Sequence, residues 1–305
     1  MAVLANVCLG IVSITMGMWV ACRLRILPKK VMRGWFILVL ICNVLVMASV
    51  SFVFDKLRLL GAPYWFTKIL NTYVCRATFG SVVVMNPHIR IHMDDESWAT
   101  WCEVPRRSCL VLNHTSFWDA FLFVGVSPWQ YIWNAKTLMK DSLKKLPVFG
   151  SIFDRVGHFP VYFKSDADGN FSVDKERQAP VSEAVNQHLK DGGRICLFPE
   201  GAVNKNPRKL LPFRRGTFGT IMEHKLPVYY FVTAGNEDTW PYSAAVGGLP
   251  ADIVISVKKF TIDFEKDDAV QVATRLEAAM QAEVDVNYAK RDKHVKAPKP
   301  DSKQS

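Results

Sequence analysis

The segment LNHTSFWDAF, residues 112–121, places His114 five positions before Asp119 and directly after the apolar run SCLVL at 108–112. A histidine there stands at the C-terminal end of a strand, where open α/β sheets expose their clefts. A carboxylate bonded to one imidazole nitrogen fixes the tautomer and stabilises the imidazolium, so the other nitrogen can take a proton from an alcohol. This base chemistry needs no metal. The same spacing also fits a helix-capping histidine followed by a solvated aspartate.

A second block, RICLFPEGAVNKNPRKLLPFRRGTFG at 194–219, runs from another apolar strand into Pro199, Glu200 and Gly201 and then a loop with Lys205, Arg208, Lys209, Arg214 and Arg215. Proline ends the strand, glycine lets a backbone approach closely, and the basic loop offers donors to a phosphate. Taken alone it is equally a turn with a basic surface. His88, His92, His188 and His224 show no ligand spacing with cysteine or carboxylates, so no metal site is expected, and His158 reads as a structural residue at a strand start. No Walker or dinucleotide glycine pattern is present.

The elements that must position these residues follow from the hydrophobic pattern. Short apolar runs at 81–85, 88–93, 108–112, 194–198, 227–232 and 252–257 read as strands. Helical stretches are expected at 116–126, 174–190, 218–224 and 267–290. Continuous apolar strands alternating with helices predict an α/β fold with a mostly parallel central sheet flanked by helices.

The chain has 305 residues, 50% hydrophobic and 22% charged, and the apolar excess is concentrated at the N-terminus. Ala2 to Cys22 and Trp35 to Phe54 carry no charge, and runs of about 20 apolar residues match the thickness of a bilayer. The predicted organisation is a helical membrane anchor at 1–56, an interfacial linker helix at 57–80, an α/β domain at 81–290 and a basic disordered tail at 291–305. A cleaved signal peptide is not expected, because the first basic side chain, Arg23, follows the apolar stretch.

The net charge of +10 gathers in two places, Arg23, Arg25, Lys29, Lys30 and Arg33 between the apolar segments and the last sixteen residues. Both suit an anionic membrane surface better than nucleic acid, for which no zinc-finger or aromatic signature exists. Seven scattered cysteines without a C-x-x-C pair read as reduced thiols, hence a cytosol-facing domain. If both apolar segments crossed the bilayer, the positive-inside rule would put the domain on the opposite side from their basic linker. Three arrangements stay open: a two-span hairpin, one span with an interfacial second segment, or a shallow hairpin in one leaflet.

Taken together, Asn113, His114 and Asp119 with Phe198 to Gly201 resemble the N-H-x4-D and F-P-E-G motifs of the glycerolipid acyltransferase family, which includes lysophosphatidic acid acyltransferases and tafazzins. Residues 157–164, GHFPVYFK, resemble the family's middle motif, with Lys164 where arginine is usual at the acceptor's phosphate; 226–232, LPVYYFV, resemble its Val-Pro strand. The resemblance spans about residues 108–250. It implies acyl transfer from acyl-CoA, a co-substrate rather than a cofactor, to the hydroxyl of a lysophospholipid, with 1-acyl-glycerol-3-phosphate giving phosphatidic acid.

On that resemblance His114 is the general base and Asp119 its orienting partner. Asn113, Glu200 and Gly201 shape the acceptor site, and Lys164 with Arg208, Arg214 or Arg215 holds phosphate. The enzyme would work on membrane lipids at the endoplasmic reticulum with its catalytic domain cytosolic, or at a mitochondrial membrane. The sequence departs from the family where E-G-T-R-S is replaced by Glu200, Gly201, Ala202, Val203 and Asn204, which removes an arginine. Glu-Gly-x-Val-Asn also resembles tafazzin, which moves acyl chains between phospholipids without CoA. A non-catalytic lipid sensor and a hydrolase using Ser116 or Cys196 are the readings from other classes.

Overall fold

The computed structural model describes residues 2–146, 149–165 and 171–296. Three helices come first: α1 (Ala2–Leu24), α2 (Lys29–Leu59) and α3 (Tyr64–Met85). Then follow β1 (Ile89–Met93), α4 (Asp95–Cys102), β2 (Cys109–Leu112), α5 (Trp118–Val126), α6 (Trp129–Ile132), β3 (Ala135–Lys140), α7 (Phe149–Val156) and β4 (Phe159–Val161). A hairpin of β5 (Phe163–Ser165) and β6 (Phe171–Val173) precedes α8 (Lys175–Lys190) and β7 (Arg194–Leu197). The chain ends in α9 (Gly216–Glu223), β8 (Val228–Ala234), α10 (Asn236–Thr239), β9 (Ala251–Phe260) and α11 (Ala269–Lys296).

Seven strands form one sheet in the order β1-β9-β8-β2-β7-β3-β4, parallel throughout except between β8 and β9. Successive strand side chains face opposite sides, and the core divides accordingly. Leu110, Leu112, Tyr229, Phe231, Ile253 and Ile255 face one layer with Phe36, Trp101 and Trp118. Cys109, Val111, Val228, Tyr230 and Val232 face the other with Phe218, Leu276 and Met280. The sheet is covered on both faces, which is why its strands read as unbroken apolar runs.

Two expectations are corrected. SVVVM at 81–85 is the last turn and a half of α3, not a strand. Thr78, Val82 and Asn86 share one helix face, Val82 is fully buried, and the Asn86 amide donates to the Val82 carbonyl at 2.7 Å, so tertiary packing overrides β-branched propensity. The linker predicted at 57–80 accordingly divides between the end of α2 and α3. Residues 291–296, the start of the tail predicted as disordered, are instead the last turns of α11, held where Arg291 pairs with Asp238 and the His294 ring stacks on His92 at 4.0 Å. Residues 297–305 lie outside the described residues.

The two apolar helices expected as an anchor are present, long and apolar enough to cross a membrane by length and composition. α2, however, lies along the domain. Phe36 packs edge-on against Trp118 and Trp240 at 5.5 and 6.3 Å, Met47 Sδ meets Cys75 Sγ at 3.7 Å, and Asp55 pairs with Arg155 at 2.7 Å. The basic linker is also partly drawn inward. Arg25, at the end of α1, holds Asp252 Oδ2 at 2.6 Å and the carbonyls of His88 and Ala251, and Arg33 donates to the Val246 carbonyl at 2.7 Å. Those two arginines therefore dock the anchor rather than face lipid.

Candidate active site

Strands β8, β2 and β7 are parallel neighbours, so their C-terminal ends open on the same edge of the sheet. Three segments distant in sequence converge there: Asn113–Asp119 after β2, Pro199–Asn204 after β7 and Gly235–Asn236 after β8. His114 Nδ1 lies 2.8 Å from Asp119 Oδ2. Because an ionised carboxylate only accepts, Nδ1 carries the hydrogen and Nε2 presents its lone pair. Nε2 has no hydrogen-bond partner among the described residues, and the ring, packed on Phe198 at 4.7 Å, keeps 23% of its side-chain surface exposed.

Asp119 is itself held by four donors. Its Oδ2 also accepts the N–H groups of Thr115 at 2.7 Å and Ser116 at 3.0 Å, and its Oδ1 accepts the Asn236 amide at 2.6 Å. The first turn of α5 thus folds the carboxylate back on the histidine loop. Ser116 Oγ accepts Trp118 N–H at 3.0 Å and donates to the Trp240 carbonyl at 2.6 Å, which makes it a capping residue.

Glu200 and Asn113 are both hydrogen-bonded within the protein. Glu200 is buried and turned toward main chain: Oε1 accepts His114 N–H at 2.8 Å, while Oε2 accepts the Asn204 amide at 2.8 Å and Leu211 N–H at 2.9 Å. Burial raises its pKa, and the three donors oppose that rise. Asn204 N–H in turn donates to the His114 carbonyl at 2.7 Å. Asn113 is consumed by β8, its Oδ1 accepting Thr233 N–H and its Nδ2 donating to the Thr233 carbonyl, both at 2.9 Å. An amide side chain thus extends the β2–β8 ladder by one step and holds the strand end from which His114 projects.

The basic residues are placed unequally. Arg208 bonds Asp292 at 3.0 Å and stacks on Tyr288 at 4.4 Å. Arg214 lies across Gly201, which has φ +68° and whose Cβ position would collide with Arg214 Nε. Arg215 immediately precedes α9, makes no side-chain bond to it and is exposed. Lys164 is exposed on β5, beside Phe163 and therefore directed to the opposite face from it. His158 is half-buried and accepts Thr137 N–H through Nδ1 at 3.1 Å; desolvation of its ring pulls its pKa down to about 3. Among the described residues no group of His, Cys, Asp or Glu is arranged to hold a metal.

Comparison with known proteins joins this geometry to a family. The Acyltransferase family matches residues 102–233, which contain both motif loops. The 1-acyl-sn-glycerol-3-phosphate acyltransferase of Limnanthes douglasii is 23% identical over 243 residues, 77% of this chain and 78% of that protein. Residues 102–233 therefore match an acyltransferase domain, and the chain is similar to 1-acyl-sn-glycerol-3-phosphate acyltransferases. A second 1-acyl-sn-glycerol-3-phosphate acyltransferase, from Cocos nucifera, is 25% identical over 134 residues, 44% of this chain, and the match spans 39% of its length. The fold of the chain resembles the 1-acyl-sn-glycerophosphate (LPA) acyltransferase PlsC from Thermotoga maritima, with a TM-score of 0.65 and 15% identity over 86% of this chain and 98% of that one.

Two residues of the site escaped sequence reasoning. Asn236 and Asn204 are buried, and their partners are set by strand order. The Gly235–Asn236 pair past the end of an apolar strand was the available signal, since Gly235 with φ +103° turns the chain into α10.

Proposed function

We propose that this protein transfers a fatty acyl chain from acyl-CoA to the free hydroxyl of a lysophospholipid, with 1-acyl-glycerol-3-phosphate as acceptor. The observation that carries the reading is the His114–Asp119 pair at 2.8 Å, with the carboxylate gripped by Thr115, Ser116 and Asn236 and Nε2 left open. Nε2 takes the hydroxyl proton as the oxygen attacks the thioester carbonyl. The C–S bond breaks, the acyl–oxygen ester forms, and the imidazolium returns the proton to the leaving thiolate. Asp119 stabilises the transient imidazolium, and no covalent enzyme intermediate is required.

The names of the two plant relatives support the acceptor, and the anchor supports lipid substrates. α2 touches the domain from Arg33 to Asp55, about 33 Å of helix, while Leu38, Ile41, Leu45, Val46, Phe52 and Val53 on its other face are exposed. A helix pressed along a hydrated domain does not cross a bilayer on its own. This favours a hairpin lying in one leaflet, with the domain on the side of its basic linker, and the reduced cysteines favour the cytosolic face of the endoplasmic reticulum.

The test is turnover by purified enzyme in mixed micelles, with labelled acyl-CoA and, separately, labelled phosphatidylcholine as donors. His114→Ala is expected to lower kcat by about 100- to 10,000-fold, the usual contribution of a general base, while folding and membrane binding persist. Near wild-type turnover by His114→Ala would sink the mechanism. Transfer only from phosphatidylcholine would replace acyl-CoA as donor, a tafazzin-type reaction for which the Glu-Gly-x-Val-Asn segment at 200–204 speaks.

A further inference from the structure

The loop after β7 carries five basic side chains, and the fold gives them different work. Arg208 is engaged by Asp292 and Tyr288, and the Lys205 ammonium sits over the Tyr242 ring at 5.3 Å. Lys209 and Arg215 are exposed. Arg214 is built into the motif turn. Its N–H donates to the Pro199 carbonyl at 2.9 Å, its side chain passes over the bare face of Gly201, and its guanidinium lies 5.5 Å from the centre of the Phe163 ring.

That guanidinium has aromatic and backbone walls, is exposed, and has no hydrogen-bond or ion-pair partner among the described residues. It is also next to the reacting centre in the bonding sequence. Gly201 adjoins Glu200, whose carboxylate holds the His114 N–H. A planar guanidinium held in place but unpaired is suited to bidentate capture of a phosphate. Lys164, on the face of β5 opposite Phe163, is not directed to the same place.

We propose that Arg214 is the cation that seats the acceptor's phosphate, and that Gly201 is required because any side chain there would close the path of Arg214. The inference rests on the reading of the protein as a lysophospholipid acyltransferase. It assigns to a residue fourteen positions beyond Glu200 the contact that Val203 cannot make.

The experiment compares kcat/KM of the full-length protein on 1-acyl-glycerol-3-phosphate, on lysophosphatidylcholine and on a monoacylglycerol of the same chain, which lacks phosphate. Arg214→Ala should lower kcat/KM for a phosphate-bearing acceptor by about 30- to 100-fold, the scale of a lost charge-assisted hydrogen bond, mainly through KM, and leave monoacylglycerol unchanged. The two phosphate acceptors distinguish a monoester from a diester. Arg214→Lys should restore part of the loss, Gly201→Ala should reproduce it, and Arg208→Ala should not change the ratio between acceptors. Equal losses on all three acceptors, or an unchanged ratio, would overturn the assignment.

Binding of 1-acyl-glycerol-3-phosphate in neutral detergent micelles is measured beside turnover. Equal affinity of wild type and Arg214→Ala overturns the proposal even if no donor supports reaction. Absence of wild-type transfer from any donor overturns the parent reading instead.

Discussion

Glu200 Oε1 accepts the backbone N–H of His114 at 2.8 Å, so the glutamate of one motif loop holds the main chain of the other. The bond couples β7 to β2 at the point where both strands end, and Asn204 closes it from the carbonyl side at 2.7 Å. Glu200→Ala would leave the N–H groups of His114 and Leu211 and the Asn204 amide without their acceptor. Each unsatisfied buried donor costs about 1–3 kcal/mol, so thermal unfolding should move down by several degrees and kcat should fall. Glu200→Gln keeps an acceptor oxygen for one donor and should lie between. Wild-type turnover by Glu200→Ala would show that the clamp is irrelevant to catalysis.

Asn236 donates to Asp119 Oδ1 at 2.6 Å and to Thr233 Oγ1 at 3.1 Å. Asn236→Ala should reduce kcat about 10-fold, the scale of one lost bond to a charged group, with acceptor KM unchanged. Asn236→Asp sets a second carboxyl against Asp119, and like charges in one buried site share a proton. Its loss should therefore be larger near neutrality and partly relieved as pH falls. Equal KM and kcat effects in both variants would reduce Asn236 to a packing residue.

Cys196 is excluded as a nucleophile by its surroundings. It is buried, its thiol lies 3.2 Å from the Tyr131 hydroxyl, and burial raises its pKa to about 11. The thiolate is the reactive form, so Cys196→Ala should retain turnover, and mass spectrometry after exposure to acyl-CoA should detect no acylated Cys196 or Ser116. An acyl adduct on either residue would restore the hydrolase reading.

His158 must be neutral to accept Thr137 N–H. Its folded pKa of about 3 lies below the usual 6.5, so the unfolded chain binds the additional proton between those values. The stability this neutral histidine provides is complete above pH 6.5 and is lost as pH falls toward 3. Thermal unfolding of wild type should decline between pH 6.5 and 4 more steeply than that of His158→Gln. Parallel profiles would refute this.

The placement of α2 predicts that both of its ends stay on one side of the membrane. Ile26→Cys and Leu60→Cys, each made in a background without reactive cysteines, should be labelled by an impermeant thiol reagent from the same side of sealed vesicles. Labelling from opposite sides would establish a crossing.

Much of the architecture was legible in order along the chain. The buried strands at 108–112, 194–198, 227–232 and 252–257 announced themselves because a sheet covered on both faces needs apolar side chains on both, and the two motifs stood at strand ends, where a cleft forms. β3 was not legible: AKTLMK carries two lysines, and its Lys136 is buried with its ammonium on the Val156 carbonyl, an arrangement no hydropathy pattern encodes. The run at 81–85 misled for the converse reason, since β-branched residues suit either a strand or a helix packed against a core.

Residue types and spacing determined by themselves that a histidine and an aspartate would lie near one another, that a basic loop would follow Gly201, and that the first 56 residues would seek an apolar medium. Only the tertiary structure decided what each side chain does. Strand order β8-β2-β7 brings Asn236 and Glu200, 36 residues apart in the chain, to opposite sides of His114. It gives Asn113 and Glu200 partners in the main chain of neighbouring segments, assigns Arg208 to Asp292, and leaves Arg214 open over Gly201. The physical reason is that hydrogen-bond and ion-pair partners are set by distance across the sheet, and the order of parallel strands is absent from any local stretch of sequence.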